Sequence, residues 1–298
     1  VRLHHLEYFR TIARCESYTR ASEQIEVSQP TLSRAIALLE RELGVPLFDH
    51  HGRSVSLNRY GRAFLVHIDR ALADIEAGRR ELDDLTDRER GVISLTFFHT
   101  LGERLVPNLI GAFMRKHPRA RFILSENMLP QIVRRIIEGD VDLGLVSLPF
   151  SDERLEYIPL LNQELMLVVP SAHRLAARKK VALAEVADDP FCLSARGFTL
   201  RQLTEDLCKE AGFSPKIAFE GDEVSTLRGL ISAGLGVGLL PEGPSASLGE
   251  IVQIRVSQPR CQRMIVMAWV KDGYQSELVR SFRHFVQRRV GLPDQPKS

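Results

Sequence analysis

The segment that most limits the fold is "SQPTLSRAIALLERELG", residues 28–44. Leu32, Ile36, Leu39 and Leu43 fall at i, i+4, i+7 and i+11, one continuous apolar stripe along a helix. Ser28 is a strong N-cap, Pro30 sits in the first turn where its missing N–H costs nothing, and Gly44 is a good stop. Gln29, Thr31, Ser33 and Arg34 occupy the other side at the amino end. The helix must therefore lie on a core by one face and offer hydrogen-bonding groups, with little charge, by the other.

Its surroundings supply that core. "LHHLEYFRTIA" places Leu3, Leu6, Phe9, Ile12 and Ala13 on one face. "YTRASEQI" predicts a second helix with Thr19 as N-cap and Ala21 and Ile25 facing inward, and "EVS" turns the chain into the segment above. "HHGRSVSL" alternates Val55 and Leu57 with polar residues around a glycine, a small β-hairpin. Helix, short turn, helix and hairpin within residues 1–59 predict a winged helix-turn-helix domain. In that arrangement the amino-terminal residues of the second helix reach base edges, where Gln and Arg bond adenine and guanine bidentately and Thr and Ser reach bases or phosphates. The expected DNA-binding surface is Gln29, Pro30, Thr31, Ser33 and Arg34, with Arg53 on the hairpin wing. Bulk charge does not announce nucleic acid: the net charge is +2, and residues 1–60 hold 8 Arg against 7 Asp and Glu. The reading rests on placement.

"NRYGRAFLVHIDRALADIEAGRRELDDLTD" follows, predicted as a long helix within residues 60–90. Leu65, Ile68, Leu72 and Ile75 repeat at 3-4-3 spacing, Arg79 interrupts and Leu82 resumes. Some 27 residues of helix run to about 40 Å, longer than a small domain can cover. A single helix with a heptad stripe buries it against a twin, so these five residues are expected to dimerise the chain. Packing on the chain's own core is the alternative.

From Gly91 the pattern becomes alternating strand and helix, and predicts an α/β domain of two lobes, about 91–162 with 267–298 and about 163–266. Its helices are read in segments such as "LGERLVPNLIGAFMRKHP" and "LRQLTEDLCKEAG". No apolar run approaches a membrane span and no signal peptide is read at the amino end, so a cytoplasmic protein is expected. The four cysteines are scattered without metal-ligand spacing, so no metal site is expected. "GLGVG" follows a helix and enters a strand, the reverse of a dinucleotide fingerprint, and no nucleophile elbow, P-loop or HExxH occurs. No catalytic residue and no cofactor is expected.

"SQPTLSRAIALLERELGVPLF", within "LHHLEYFRTIARCESYTRASEQIEVSQPTLSRAIALLERELGVPLFDHHGRSVSLNRYG", resembles the signature of LysR-type transcriptional regulators almost position for position. The long helix and the α/β remainder resemble that family's linker helix and two-lobed, periplasmic-binding-protein-like effector domain. The resemblance implies a dimer of dimers on an imperfect dyad, a small effector that alters DNA bending, and RNA polymerase as a further partner. Two departures stand out: His50 where arginine is common before "HGR", and Asn58 for the usual Thr at the start of the linker helix. "FFHTLGERLVP" ends a strand and begins a helix, so Thr100 is read as its cap beside free N–H groups. "SARGFTLRQL" repeats the theme with Ser194, Arg196, Phe198 and Thr199, and Ser147 ends another strand. With Leu101, Met128 and Leu129 these form the expected effector cleft. Met128 and Leu129 make its wall apolar, which implies an organic acid with an apolar part. "FEGDEVSTLRGLISAGLGVGLLPE" is further similar to the glutamate-synthase-operon activator branch, whose effector is not carried over because of that apolar wall. The alternative from another class is a binding protein descended from solute receptors, with amino-terminal helices that make protein contacts only.

Overall fold

The computed structural model describes residues 1–51, 54–86, 91–243 and 250–290. They fall into two compact units, residues 1–82 with 137–139, and residues 83–136 with 140–298.

The first unit contains α1 (Leu3–Cys15), α2 (Tyr18–Gln24), α3 (Gln29–Leu43), a hairpin of β1 (Phe48–His51) and β2 (Ser54–Leu57), and α4 (Arg59–Thr86). Ser28 accepts the Thr31 amide through its hydroxyl, and Gly44 closes α3 in the left-handed region at φ +73°. The cap of α2 is Ser17, not Thr19: its hydroxyl accepts the Arg20 amide at 3.3 Å. Ser17 holds the extended backbone a cap requires, whereas Thr19 already lies inside the first turn. Asn58 caps α4, its Oδ1 accepting the amides of Tyr60 at 2.8 Å and Gly61 at 2.9 Å. Gly61 is required there, because a Cβ would stand 2.1 Å from the Leu47 carbonyl oxygen.

Phe9, Ile12, Leu32, Ile36, Leu39 and Leu47 form the centre of this core. Ile68 and Leu72 are part of it too, and Leu65 packs against it. This corrects the expectation for α4. The first half of the stripe is consumed by the domain's own core, since α1 and α3 supply an apolar surface long enough to cover two helical turns. Only Ile75, 39% exposed, and Leu82, 66% exposed, stay open from the five residues named for dimerisation.

The second unit begins with β3 (Val92–Phe97), α5 (His99–Gly102), α6 (Leu105–Met114), β4 (Arg121–Glu126), α7 (Leu129–Ile137) and β5 (Leu143–Ser147). Strands β3, β4 and β5 are parallel, with Phe97 level with Glu126 and Leu145, so their carboxyl ends meet at one edge. Then come β6 (Leu155–Pro170), β7 (Lys180–Val181), β8 (Pro190–Ser194), α8 (Thr199–Glu210), β9 (Lys216–Gly221) and α9 (Val224–Ser232). The described chain ends with β10 (Gly238–Pro241), β11 (Ile251–Val256), β12 (Gln262–Val270) and α10 (Glu277–Val290). The 16-residue β6 pairs antiparallel with β12 along Leu155–Glu164, then with β10 and β11 along Leu165–Pro170. It is shared by both lobes, and the expected borders at 162/163 and 266/267 fall inside β6 and β12.

One lobe packs around the aromatic cluster Phe113, Phe122 and Phe282, whose rings stand 5.0–6.1 Å apart. The other buries Val168, Phe191, Leu227, Ile231, Leu239 and Ile254. The helix read in "LGERLVPNLIGAFMRKHP" is broken into α5 and α6 at residues 103–104, and this short first piece matters below.

Candidate DNA-reading helix and effector cleft

On α3 the division of faces is complete. Leu32, Ile36 and Leu39 are buried, while Gln29, Pro30, Thr31, Ser33 and Arg34 are all exposed. Burial of one face fixes the helix, so the polar side chains leave from a rigid platform. The Thr31 hydroxyl lies 2.8 Å from the Ser28 hydroxyl and shares in the cap as well as in the exposed face. Arg53 lies outside the described residues. His50 on the adjoining strand stacks parallel to Tyr18 at 6.3 Å between ring centroids. Burial pushes the Tyr18 hydroxyl up to about 12, helped by the nearby Glu40 carboxylate.

In the α/β unit, Thr100, Met128, Leu129, Phe198 and Thr199 come together around a small cleft of about 20 Å³. Phe98, His99, Asn127, Leu200 and Arg263 complete its lining. Arg196 is exposed and borders a larger adjoining hollow of about 600 Å³ together with Leu129, Phe198 and Thr199. The other three expected residues line neither space. Leu101 is buried in the core, and Ser147 and Ser194 are buried strand ends whose hydroxyls have no hydrogen-bond partner among the described residues. One expectation needs correction. Thr100 does not cap a helix: the cap position of α5 is Phe98, and Thr100 lies within this single four-residue turn. Its hydroxyl faces inward, where Arg263 Nη2 donates to it at 2.6 Å.

Arg263 is the residue the sequence reasoning missed. It is 3% exposed on β12, and its Nε donates to Gln163 Oε1 at 2.8 Å. Both partners are neutral, and no carboxylate pairs with it among the described residues. Burial lowers its pKa to about 10, so the guanidinium still carries its charge at neutral pH. Arg201, equally buried, differs in kind. Burial disfavours its charge, but hydrogen bonds to Glu205 at 2.7 Å and Glu220 at 3.0 Å leave its pKa raised. In "QRMIVMAWV" it stands two residues before Ile265 and so on the same face of the strand, a weak signal that becomes decisive only with that face buried. His99 meets Phe198 edge to face at 5.6 Å and has its Nε2 3.9 Å from Glu223 Oε2.

Among the described residues no group of three His, Cys, Asp or Glu side chains could hold a metal ion, and no helix is long and apolar enough to cross a membrane.

The exposed polar face and buried stripe of α3 match a known pattern: residues 3–62 fit the bacterial regulatory helix-turn-helix protein, lysR family, and residues 86–291 fit the LysR substrate binding domain. The chain belongs to the LysR family. It is 41% identical over 281 residues to the uncharacterized HTH-type transcriptional regulator YybE of Bacillus subtilis (strain 168), covering 94% of this chain and 96% of that one. It is 32% identical over 287 residues to the transcriptional dual regulator GltC of the same organism, covering 95% and 96%. The likeness to the glutamate-synthase-operon activator branch thus extends along the chain. The fold is shared with a full-length OxyR variant from Pseudomonas aeruginosa, at a TM-score of 0.73 and 24% identity over 100% of this chain and 99% of that one. The chain is therefore a LysR-family DNA-binding transcriptional regulator with an effector-binding domain, and not an enzyme.

Proposed function

We propose that this LysR-family protein is a cytoplasmic regulator that reads its operator through Gln29, Pro30, Thr31, Ser33 and Arg34 and answers to a small organic acid with an apolar part. The observation that carries the first half is the two-faced α3: five exposed residues of hydrogen-bonding or shape-fitting type on a helix anchored by buried Leu32, Ile36 and Leu39. The second half is supported by the cleft, whose walls include Phe98, Met128, Leu129 and Phe198 around the polar Thr100 and Arg263. The effector itself is the only small molecule the reading needs, with no cofactor. Binding in the cleft shifts the balance between lobe arrangements and so the spacing of paired reading helices, which alters DNA bending. A dimer of dimers on an imperfect dyad, with RNA polymerase as the further partner, completes the reading.

The test is a footprint of the purified protein on the DNA upstream of its own gene, across a salt series. A protected, roughly symmetric site that outcompetes random DNA is expected. Weak, sequence-blind binding that vanishes with salt would overturn the reading.

A further inference from the structure

We propose that Arg263 is the seat of a single carboxylate, and that the effector is a compact monocarboxylic acid with an apolar body. This rests on the reading of the cleft as the effector site. A guanidinium has five N–H donors in a planar fork, and here Nε and Nη2 each donate to a neutral oxygen, of Gln163 and Thr100. Those two bonds fix the plane of the fork without neutralising it. A buried positive charge with no counter-ion is unfavourable in a low-dielectric site, and a carboxylate is the planar anion that fits the fork.

The surroundings restrict the ligand further. Phe98, Met128, Leu129 and Phe198 offer apolar surface for its body. Among the described residues that line the cleft, a second carboxylate finds no second unpaired cation. In the adjoining hollow Arg201 is already held by Glu205 and Glu220, and Asp206 lines the same space as the exposed Arg196. On the other side His99 Nε2 lies 3.9 Å from Glu223 Oε2. The cleft thus has one open positive charge and apolar walls, the complement of a monoacid.

The probes are 4-methylpentanoate and 3-phenylpropanoate, their uncharged amides, and pentanedioate, titrated calorimetrically into the full-length protein. The acids are expected to bind at least about tenfold tighter than their amides, a difference of about 1.4 kcal/mol. Arg263→Gln is expected to abolish the preference for the acids over their amides, which loss of packing alone does not produce. The wild-type comparison of acid with amide stands whether or not the variant folds. Equal binding of acid and amide, an acid preference that survives Arg263→Gln, tighter binding of pentanedioate than of the monoacids, or no acid binding into the millimolar range overturns the assignment. The operator footprint is run on the same preparation. Intact protection alongside any of those results rejects the anion seat alone, whereas loss of protection by the wild type rejects the regulator reading.

Discussion

A residue acts here through what its neighbours leave unsatisfied. Arg34 is exposed beside a buried helix face, so its removal is expected to cost the fold little. Arg34→Ala is expected to relax base preference by about 1–3 kcal/mol at the contacted position, measured with base-substituted operators. Unchanged discrimination across that series would remove Arg34 from the reading surface. Asn58 is the reverse case, since its Oδ1 satisfies two amides at the start of α4. Asn58→Ala is expected to lower stability by about 1 kcal/mol in denaturant unfolding. The cysteines follow the same logic. Burial pushes the thiols of Cys208 and Cys261 up to about 12 and raises that of Cys192, so thiolate is scarce at neutral pH. Cys15 is only half-buried, and native-state alkylation read by mass spectrometry is expected to mark it well before the other three.

At the scale of elements, α3 was legible in the sequence because its cap, its stripe and its stop all act within the helix itself. The α4 stripe was legible only in part. A 3-4-3 spacing records that a face is apolar, not which surface covers it, and the domain's own Phe9–Ile36 core took the first two turns. Thr100 failed for a related reason. The strand-to-helix pattern was right, but helix α5 is one turn long and its cap position is Phe98. Arg263 lay hidden because a charge two residues before Ile265 gains meaning only when the strand is seen to be buried on that face. The division of α4 makes two contrasting expectations. Leu72→Ala removes a buried core side chain and is expected to cost about 2–5 kcal/mol of stability in denaturant unfolding. The double variant Ile75→Asp and Leu82→Asp alters exposed positions, so it is expected to leave the fold intact and reduce the association state seen by sedimentation. Unchanged association would move the dimer contact elsewhere.

For the whole molecule the decisive quantity is how little bulk charge it carries. A net charge of +2 over 298 residues, with 8 Arg against 7 acidic residues in the first sixty, gives weak long-range attraction to a polyanion. Phosphate contacts still supply most of the affinity once the protein is docked, and each releases counter-ions. Operator and random binding should therefore weaken together as salt rises. Affinity for the operator is expected to fall by about a thousandfold or more between 50 and 200 mM salt if six or more phosphates are contacted. Affinity for random DNA should be weaker at every salt concentration and fall with a similar slope, because phosphate contacts without base contacts hold the protein there. The ratio of the two should stay nearly constant wherever both are measurable, since the same phosphate contacts serve both and hydrogen bonds from the proposed reading residues Gln29, Thr31, Ser33 and Arg34 to base edges would release few ions. Fluorescence anisotropy with operator and scrambled duplexes at four salt concentrations measures both. A ratio that collapses with salt would mean that discrimination itself is electrostatic, and would place the reading of sequence in the shape of the DNA instead of on the polar face of α3.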